Sequence, residues 1–341
     1  EMNYEKFMLQ AITNANSFKY TAKPNPVVGA ILLKDKKIIS EGYHERFGEN
    51  HAEINALEVA KKQIGKTFKD FSELTLICTL EPCSHQGKTG SCAKEIVKTG
   101  IKNIVIGSED PNPKVAGKGI EILKKNKLKV TTGILENLVE KQNKFFFFKH
   151  KNNKPYITLK IARSIDGKSH YKNNERTFIT NKSSRNDVQT IRACHDAILT
   201  GGNTLRYDNP RMNARVNFPC NQPRKILLTS KSYDEKLHFF KDANVDVFHT
   251  KNLQKIISSY VSSDISSILV EAGPKLANAF LKANYVDELI IFTSKKKLGE
   301  NGMNWFSEVN AVENYGFKLE SSYKIDTDLK EIFIKWILAT S

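Results

Sequence analysis

Short apolar runs bounded by turn residues alternate along this chain with segments whose apolar residues recur at helical spacing. That alternation commits the chain to layered α/β architecture, because each strand and each one-sided helix must bury its apolar face against the other kind of element. Residues 4–18 predict a helix, and the breaker-rich "KPNPVVG" ends it and launches a strand. "VVGAILLKDKKIISEGY" reads as a hairpin about a Lys-Asp-Lys-Lys turn. Next come a helix from His51, a strand at 74–79, a helix from about Ser91, the strand "IKNIVIG", a helix over 117–126, a short strand "LKVTT" and a helix over 135–148. The alternation then resumes: strand 156–162, helix 184–194, strand "AILTG", a helix start after Gly202, strands "KILLT" and "VDVFHT", and a helix over 252–262. Strand "SILVEAG", helix 274–283, strand "ELIIFTS" and a terminal strand "LKEIFIKWIL" complete it.

A break falls at "FFFFKHKNNKPY", where an apolar helix end gives way to a polar stretch and Pro155 introduces a fresh strand. The 341 residues exceed one typical domain of ~100–200 residues. Two domains are therefore expected, 2–149 and 150–341, counted from Met2, with the phenylalanines at 145–148 in core or interdomain packing. No internal repeat relates the halves, and no G-x-G-x-x-G follows a strand, so a standard dinucleotide fold has no support.

The net charge of +16 divides into +7 for residues 1–150 and +9 for 151–341. A nucleic-acid reader concentrates such an excess in one patch, so the even spread describes a Lys-rich solvated surface that also suits anionic small substrates. With no run of ~18 apolar residues and no basic-then-apolar leader, a soluble cytoplasmic chain with no membrane partner is expected. Five cysteines, an odd number, point to metal or thiol chemistry rather than a disulfide framework.

"HAEINALEVA" starts at His51, and "TLEPCSHQGKTGSC" brings Cys83 and Cys92 about 30 residues later. One imidazole and two thiolates are three ligands for tetrahedral zinc, leaving a fourth position for water, which is the pattern of a catalytic site. Zinc lowers the pKa of such water toward ~7, and Glu53 is placed to carry its proton to a leaving amine. Two residues apart on a regular helix would diverge, but at a first turn whose end faces the metal both reach it. Cys83 is expected at a strand-to-helix turn, where a helix N-terminus favours thiolate. H-x-E with P-C and a second cysteine is the signature of zinc nucleobase deaminases, the Glu being acid/base and not a ligand. Eight residues, not two, separate Cys83 from Cys92, and they include a rival ligand, His85. Cys78, Cys194 and Cys220 read as core packing.

At this point the sequence resembles the bifunctional riboflavin-biosynthesis deaminase-reductases. The residues that carry the resemblance are "PNPVVGA", "GYHERFGENHAEINAL", "TLEPCSHQGKTGSC", "DPNPKVAGKGI", "LKIARSIDGK", "HDAILTGGNTLRYDNPRMNAR" and "LVEAGPKLANAFL", in order over nearly the whole chain. The long Cys-to-Cys insertion is itself a feature of that family. The resemblance implies an N-terminal cytidine-deaminase-like three-layer α/β/α domain and a C-terminal dihydrofolate-reductase-like α/β domain. It implies zinc-dependent deamination of 2,5-diamino-6-ribosylamino-4(3H)-pyrimidinone 5′-phosphate. NADPH-dependent reduction of the ribosyl chain would follow, giving 5-amino-6-(5-phosphoribitylamino)uracil.

By position, the resemblance assigns zinc to His51, Cys83 and Cys92, proton transfer to Glu53, and pyrimidine contacts to Asn25, Asp110 and Asn112. "PNP" and "DPNP" are by themselves only turn signals. Lys88 is a candidate for the substrate phosphate, beside the plain reading of a solvated lysine. In the second half the resemblance assigns NADPH to Ala162, Phe178, Thr204, Asp208, Ser230 and the turn Gly273, Pro274, Lys275, Leu276, Ala277, Asn278 and Ala279. It assigns substrate to Arg176, Arg192, Met212, Arg215 and Glu271. Strand ends in Gly-Gly and Gly-Pro that open helices suit phosphates, though glycines also simply permit tight turns. Arginine forks suit a ribose phosphate. The resemblance also implies a dimer or tetramer.

Two other readings compete: a nucleic-acid deaminase with an appended binding domain, motivated by the zinc motif and the pI near 9.4, and a zinc-stabilised scaffold. The spread charge, the long insertion and "VEAGP" oppose the first. The open metal position and Glu53 oppose the second.

Overall fold

Helix α1 (Glu5–Ala15) opens the computed structural model, which describes residues 3–85, 90–173, 176–241 and 244–336. The expected hairpin of β1 (Gly29–Lys34) and β2 (Lys37–Tyr43) follows. Then α2 (Ala52–Lys61), β3 (Leu74–Leu80), α3 (Cys92–Lys98), β4 (Asn103–Ser108), α4 (Lys118–Lys125) and β5 (Lys129–Thr131) alternate. The sheet runs β2-β1-β3-β4-β5, antiparallel about β1 and parallel from β3 to β5. Because successive strand residues point to opposite faces, Leu32, Leu76, Cys78 and Ile104 pack with Ala56, Ala93, Ile96 and Leu123 of α2, α3 and α4. Ile31, Ile77 and Val105 pack on the other face with Met8 and Ala11 of α1. Three layers, α/β/α, result.

The helix expected over 135–148 is two helices, α5 (Glu136–Gln142) and α6 (Lys144–Asn152). Asn143 breaks it: its buried side chain accepts from Val27 N at 2.7 Å and donates to Val27 O at 3.0 Å. A side-chain amide thus pairs with backbone as a neighbouring strand would, and holds the "PNPVV" segment in place. α6 then runs through His150 and Lys151 instead of stopping at the phenylalanines, and its C-cap Asn153 is left-handed at φ 53. The chain divides into two compact units there, Glu1–Asn153 and Lys154–Ser341.

The second unit contains β6 (Tyr156–Arg163), β7 (Lys168–Tyr171), α7 (Lys182–Cys194), β8 (Ala197–Gly201), α8 (Gly202–Asp208), β9 (Arg224–Leu228), β10 (Val245–Phe248) and α9 (Leu253–Ser258). It continues with β11 (Ser267–Val270), α10 (Pro274–Lys282), β12 (Glu288–Thr293), β13 (Gly302–Asn304), α11 (Ala311–Asn314), β14 (Phe317–Ile325) and β15 (Asp328–Lys335). The main sheet is β10-β9-β8-β11-β6-β12-β15-β14, parallel from β10 to β12 and closed by the antiparallel pairs of β15 with β12 and β14. β7 and β13 form a separate ribbon.

Strand β14 was not expected, because "KLESSYK" is almost wholly solvent-facing and shows no buried alternation. β7, β13 and α11 are further additions, of four, three and four residues and so too short to show a period, and α9 ends at Ser258 rather than near 262. Cys78 is fully buried, but Cys194 and Cys220 are corrected from core to half-buried, at the end of α7 and in the Pro-containing loop before β9.

Candidate active sites

Helix α2 lies so close to β2 that only glycine fits at position 42. A Cβ there would be 2.2 Å from Ala56 N and 2.3 Å from Ala52 O. His51 is the N-cap, with extended backbone (φ −72, ψ 162), and Glu53 stands in the first turn. Because His51 precedes the helix, the divergence expected of residues two apart on a helix does not arise. Cys83 follows β3 and Cys92 opens α3, and the two ends of the insertion meet. Ser91 Oγ and Ala93 N both donate to Cys83 O at 3.1 Å, and Cys92 N donates to Cys83 Sγ at 3.4 Å.

His51 Nδ1 lies 3.2 Å from Cys92 Sγ and 3.6 Å from Cys83 Sγ. Among the described residues these three form the one group placed to hold a metal, their ligand atoms all within 4.8 Å of one another. His85 stands outside it, and Lys88 falls outside the described residues. The hydrogen bond from Cys92, with His51 adding to it, pushes the Cys83 thiol down to about 4, while the same bond and burial raise Cys92. One nitrogen and two sulfurs, one readily a thiolate, fit zinc. Glu53 is buried, and burial lifts its carboxyl to about 7 against the opposing charge of His51.

Asn25 reaches this site through a residue that the motif reading left without a role. Its Nδ2 lies 3.1 Å from His44 Nε2, and His44 Nδ1 lies 3.1 Å from Asn50 O, so His44 donates from Nδ1 and accepts at Nε2. The His44 ring stands edge-on to His51 at 5.5 Å, and burial lowers its pKa. Glu81, of "EPC", holds no metal. Its carboxylate accepts backbone N–H from Asp110 (3.1 Å), Gly117 (3.0 Å), Gly119 (2.9 Å) and Ile120 (3.1 Å). Asp110 and Asn112 form the turn that their residue types predict, Asp110 Oδ1 accepting from Asn112 N at 2.8 Å. Burial raises the Asp110 carboxyl to about 6.

In the second unit the parallel strands β6, β8, β9 and β11 end along one edge. That edge carries Ala162, the Gly201–Gly202 turn with Thr204, Ser230, and Glu271 with Gly273. Gly201 and Gly273 begin α8 and α10 with no side-chain cap. Trp305 ties this edge together: its Nε1 donates to Ala162 O at 2.9 Å, and Asn278 Nδ2 donates to Trp305 O at 2.7 Å. Of the Gly273–Ala279 turn, Leu276 and Ala277 pack into the core.

Arg192 grips Glu271 with both prongs, Nε to Oε1 at 2.7 Å and Nη2 to Oε2 at 2.8 Å. Lys160, another residue without an assigned role, adds an ion pair at 3.3 Å. Burial alone would raise the Glu271 carboxyl, but Arg192 and Lys160 outweigh it and hold it at about 2. Arg215 donates to Asn213 Oδ1 at 2.7 Å, and burial, with Arg192, Arg211 and Arg176 around it, lowers its pKa. Arginines assigned to substrate therefore share one positive neighbourhood. Arg176 also lies over the Phe178 ring, 4.7 Å from its centre. Asp208 is raised by burial, in the field of Arg176, His170 and Lys160. Met212 differs: its backbone is left-handed at φ 49 and its side chain is buried with Ile198, Leu205 and Leu227. Arg206 Nη1, buried at this edge with no hydrogen-bond partner among the described residues, suits an anionic dinucleotide such as NADPH.

Residues 2–108 match the family described as the cytidine and deoxycytidylate deaminase zinc-binding region, and residues 155–330 match the RibD C-terminal domain. The riboflavin biosynthesis protein RibD of Buchnera aphidicola is 34% identical over 96% of this chain and 98% of its own length. That of Escherichia coli K12 is 33% identical over 88% and 90%. The solved structure of Acinetobacter baumannii RibD, form 2, superposes with a TM-score of 0.88 at 31% identity over 97% and 98% of the two chains. A Thermotoga maritima protein described as a diaminohydroxyphosphoribosylaminopyrimidine deaminase/5-amino-6-(5-phosphoribosylamino)uracil reductase superposes at 0.83 and 32% over 98% and 99%. With both halves matched in order along nearly the full length of such relatives, the chain belongs to the RibD family of bifunctional riboflavin-biosynthesis deaminase-reductases.

Proposed function

We propose that the first unit deaminates 2,5-diamino-6-ribosylamino-4(3H)-pyrimidinone 5′-phosphate and that the second reduces the ribosyl chain of the product to give 5-amino-6-(5-phosphoribitylamino)uracil. The observation that carries this reading is the His51–Cys83–Cys92 trio with buried Glu53 beside it, in a chain whose other half presents a nucleotide-ready sheet edge. Zinc supplies Lewis acidity to the first step and NADPH the hydride to the second. Glu53, with a carboxyl near neutrality, takes a proton from the attacking water and delivers it to the leaving amine. Asn25, oriented by His44, holds the pyrimidine, and the Asp110–Asn112 turn borders it.

In the second unit Arg176, Arg192 and Arg215 receive the phosphorylated sugar, with the Arg192–Glu271–Lys160 cluster beside it. Ala162, Phe178, Thr204, Asp208, Ser230 and the turn from Gly273 line the cofactor. No helix among the described residues is long and apolar enough to cross a membrane. The five free cysteines accord with work in the reducing cytoplasm, and the resemblance favours a homo-oligomer.

The test is to supply the pyrimidine substrate with and without NADPH. Ammonia release without NADPH, and NADPH oxidation only when substrate is present, are the expected results. Failure of zinc-loaded protein to release ammonia would overturn the deaminase assignment. Ammonia release without any NADPH oxidation would overturn the reductase one.

A further inference from the structure

The main sheet of the second unit splits beside Ala162. β11 pairs with β6 from Tyr156 to Leu159 and then turns away through Glu271 to Gly273, while β12 stays beside β6 as far as Arg163. The last residues of β6 therefore have a strand on one side and an opening on the other. Backbone direction shows which side Ala162 faces. Ile157 O and Arg163 O accept from Asp287 N at 2.8 Å and Ser294 N at 2.9 Å, on the β12 side, whereas Tyr156 N donates to Ser266 O at 2.9 Å on the β11 side. Odd positions of β6 face β12 and even ones face away from it, so the carbonyl of Ala162 points into the split.

A strand carbonyl with no neighbouring strand needs another donor. Trp305 Nε1 supplies it at 2.9 Å, from 143 positions along the sequence. The indole is buried, in one core cluster with Ala277 and Phe280 of α10. Trp305 is also held through its own backbone: its N–H donates to Gly167 O at 3.2 Å, and its carbonyl accepts from Asn278 Nδ2 at 2.7 Å. Asn278 Nδ2 donates to Pro274 O as well, at 2.7 Å. One residue thus joins the end of β6, the turn that follows it and the first turn of α10. The ribbon of β7 and β13 brings Trp305 to this place, and it closes through Gly302, where a Cβ would lie 2.6 Å from Lys168 Cγ.

Ala162 and the turn from Gly273 are two sides of the site in which the reductase reading places the cofactor. Their strands have stopped pairing, so no ladder bond joins them at this level, and the chain of bonds from Ala162 O through Trp305 and Asn278 to Pro274 O does. Resting on that reading, we propose that Trp305 is a positioning residue for hydride transfer, bridging the split so that the end of β6 and the start of α10 keep one separation. Reduction moves a hydride from NADPH to the anomeric carbon of the sugar, breaks the bond of that carbon to the ring oxygen and leaves the oxygen with a proton from water. Such a transfer depends steeply on distance, so loosening one wall slows it while every group that contacts the cofactor stays in place.

The test uses full-length protein, NADPH and the deaminated intermediate. Trp305→Phe keeps an aromatic ring and loses the N–H; because it also leaves a gap in the core, a second variant carries the benzothienyl isostere of tryptophan at 305, which keeps the volume and lacks the donor. Both are expected to lower kcat for reduction roughly 10- to 100-fold and to leave the NADPH dissociation constant within about two-fold. The isotope effect with NADPH deuterated at the transferring carbon should rise, amide hydrogen exchange should quicken over 162–168 and 275–279, and ammonia release by the first unit should not change. Full kcat in the isostere variant, or NADPH binding weakened by the same factor as kcat, would overturn the positioning role. Failure of the unaltered protein to oxidise NADPH with the intermediate would overturn the reductase reading beneath it.

Discussion

Asn25 Nδ2 points at His44 Nε2, 3.1 Å away, so the imidazole fixes which end of the amide faces the deaminase site. His44 is fixed in turn by Asn50 O and lies edge-on to His51. His44→Ala frees the Asn25 amide to rotate without removing a metal ligand. Deaminase kcat/KM is expected to fall roughly 10- to 100-fold, the scale of losing a positioning contact, with zinc content and the reductase step unchanged. Ammonia release and metal stoichiometry measured on the same preparation check it. Loss of zinc in the variant would assign His44 to the metal instead.

Glu53→Gln keeps the volume of the buried side chain and removes its capacity to carry a proton. Deamination should fall by about 10²–10⁴-fold, zinc should stay bound, and reduction of the deaminated intermediate should proceed at the wild-type rate. If reduction fails as well, the two sites are not independent.

Glu81 is buried and accepts four backbone N–H groups, one after β4 and three at the start of α4, and so ties both to the end of β3. Replacing it with Gln puts an amide NH₂ where only acceptors fit. The expected cost is about 1–3 kcal/mol, read as a lower denaturant midpoint with an unchanged slope. A neutral effect would mean that these backbone groups find other partners.

Glu271, held at about 2 against an ordinary value of 4.5, binds a proton less readily folded than unfolded. Its stabilising contribution is therefore complete above about pH 4.5 and is lost as pH falls from there toward 2. Urea unfolding should show Glu271→Gln well below wild type at pH 6, because Arg192 is left buried without its partner, and the gap should narrow on acidification through that window. A gap independent of pH would show that the carboxylate charge is not what Arg192 requires.

The convergence of His51, Cys83 and Cys92 was legible in the sequence because a metal demands particular atoms, and these residues offer them by type and spacing. The alternation of strands and helices was legible for a similar reason, burial imposing a period on each element. Lys160 was not, since its meaning lies in the register that sets β6 beside β11 and brings its ammonium to Glu271. Trp305 joins groups that lie far apart in sequence, and no local pattern encodes it. Strand β14 hides for the opposite reason: with one neighbour and an exposed face, it needs no apolar alternation.

The bond between Asn143 and Val27 spans 116 positions of sequence. The segment bearing Asn25 is therefore clasped by a residue that leaves the ribosome long after His51, Cys83 and Cys92 have done so. During synthesis His51, Cys83 and Cys92 all emerge before the residue that clasps the Asn25 segment, so the pyrimidine contact proposed for Asn25 waits for the helices that end the unit. A fragment cut where the zinc-binding match ends, at residue 108, would carry the whole His51–Cys83–Cys92 group and lack the latch.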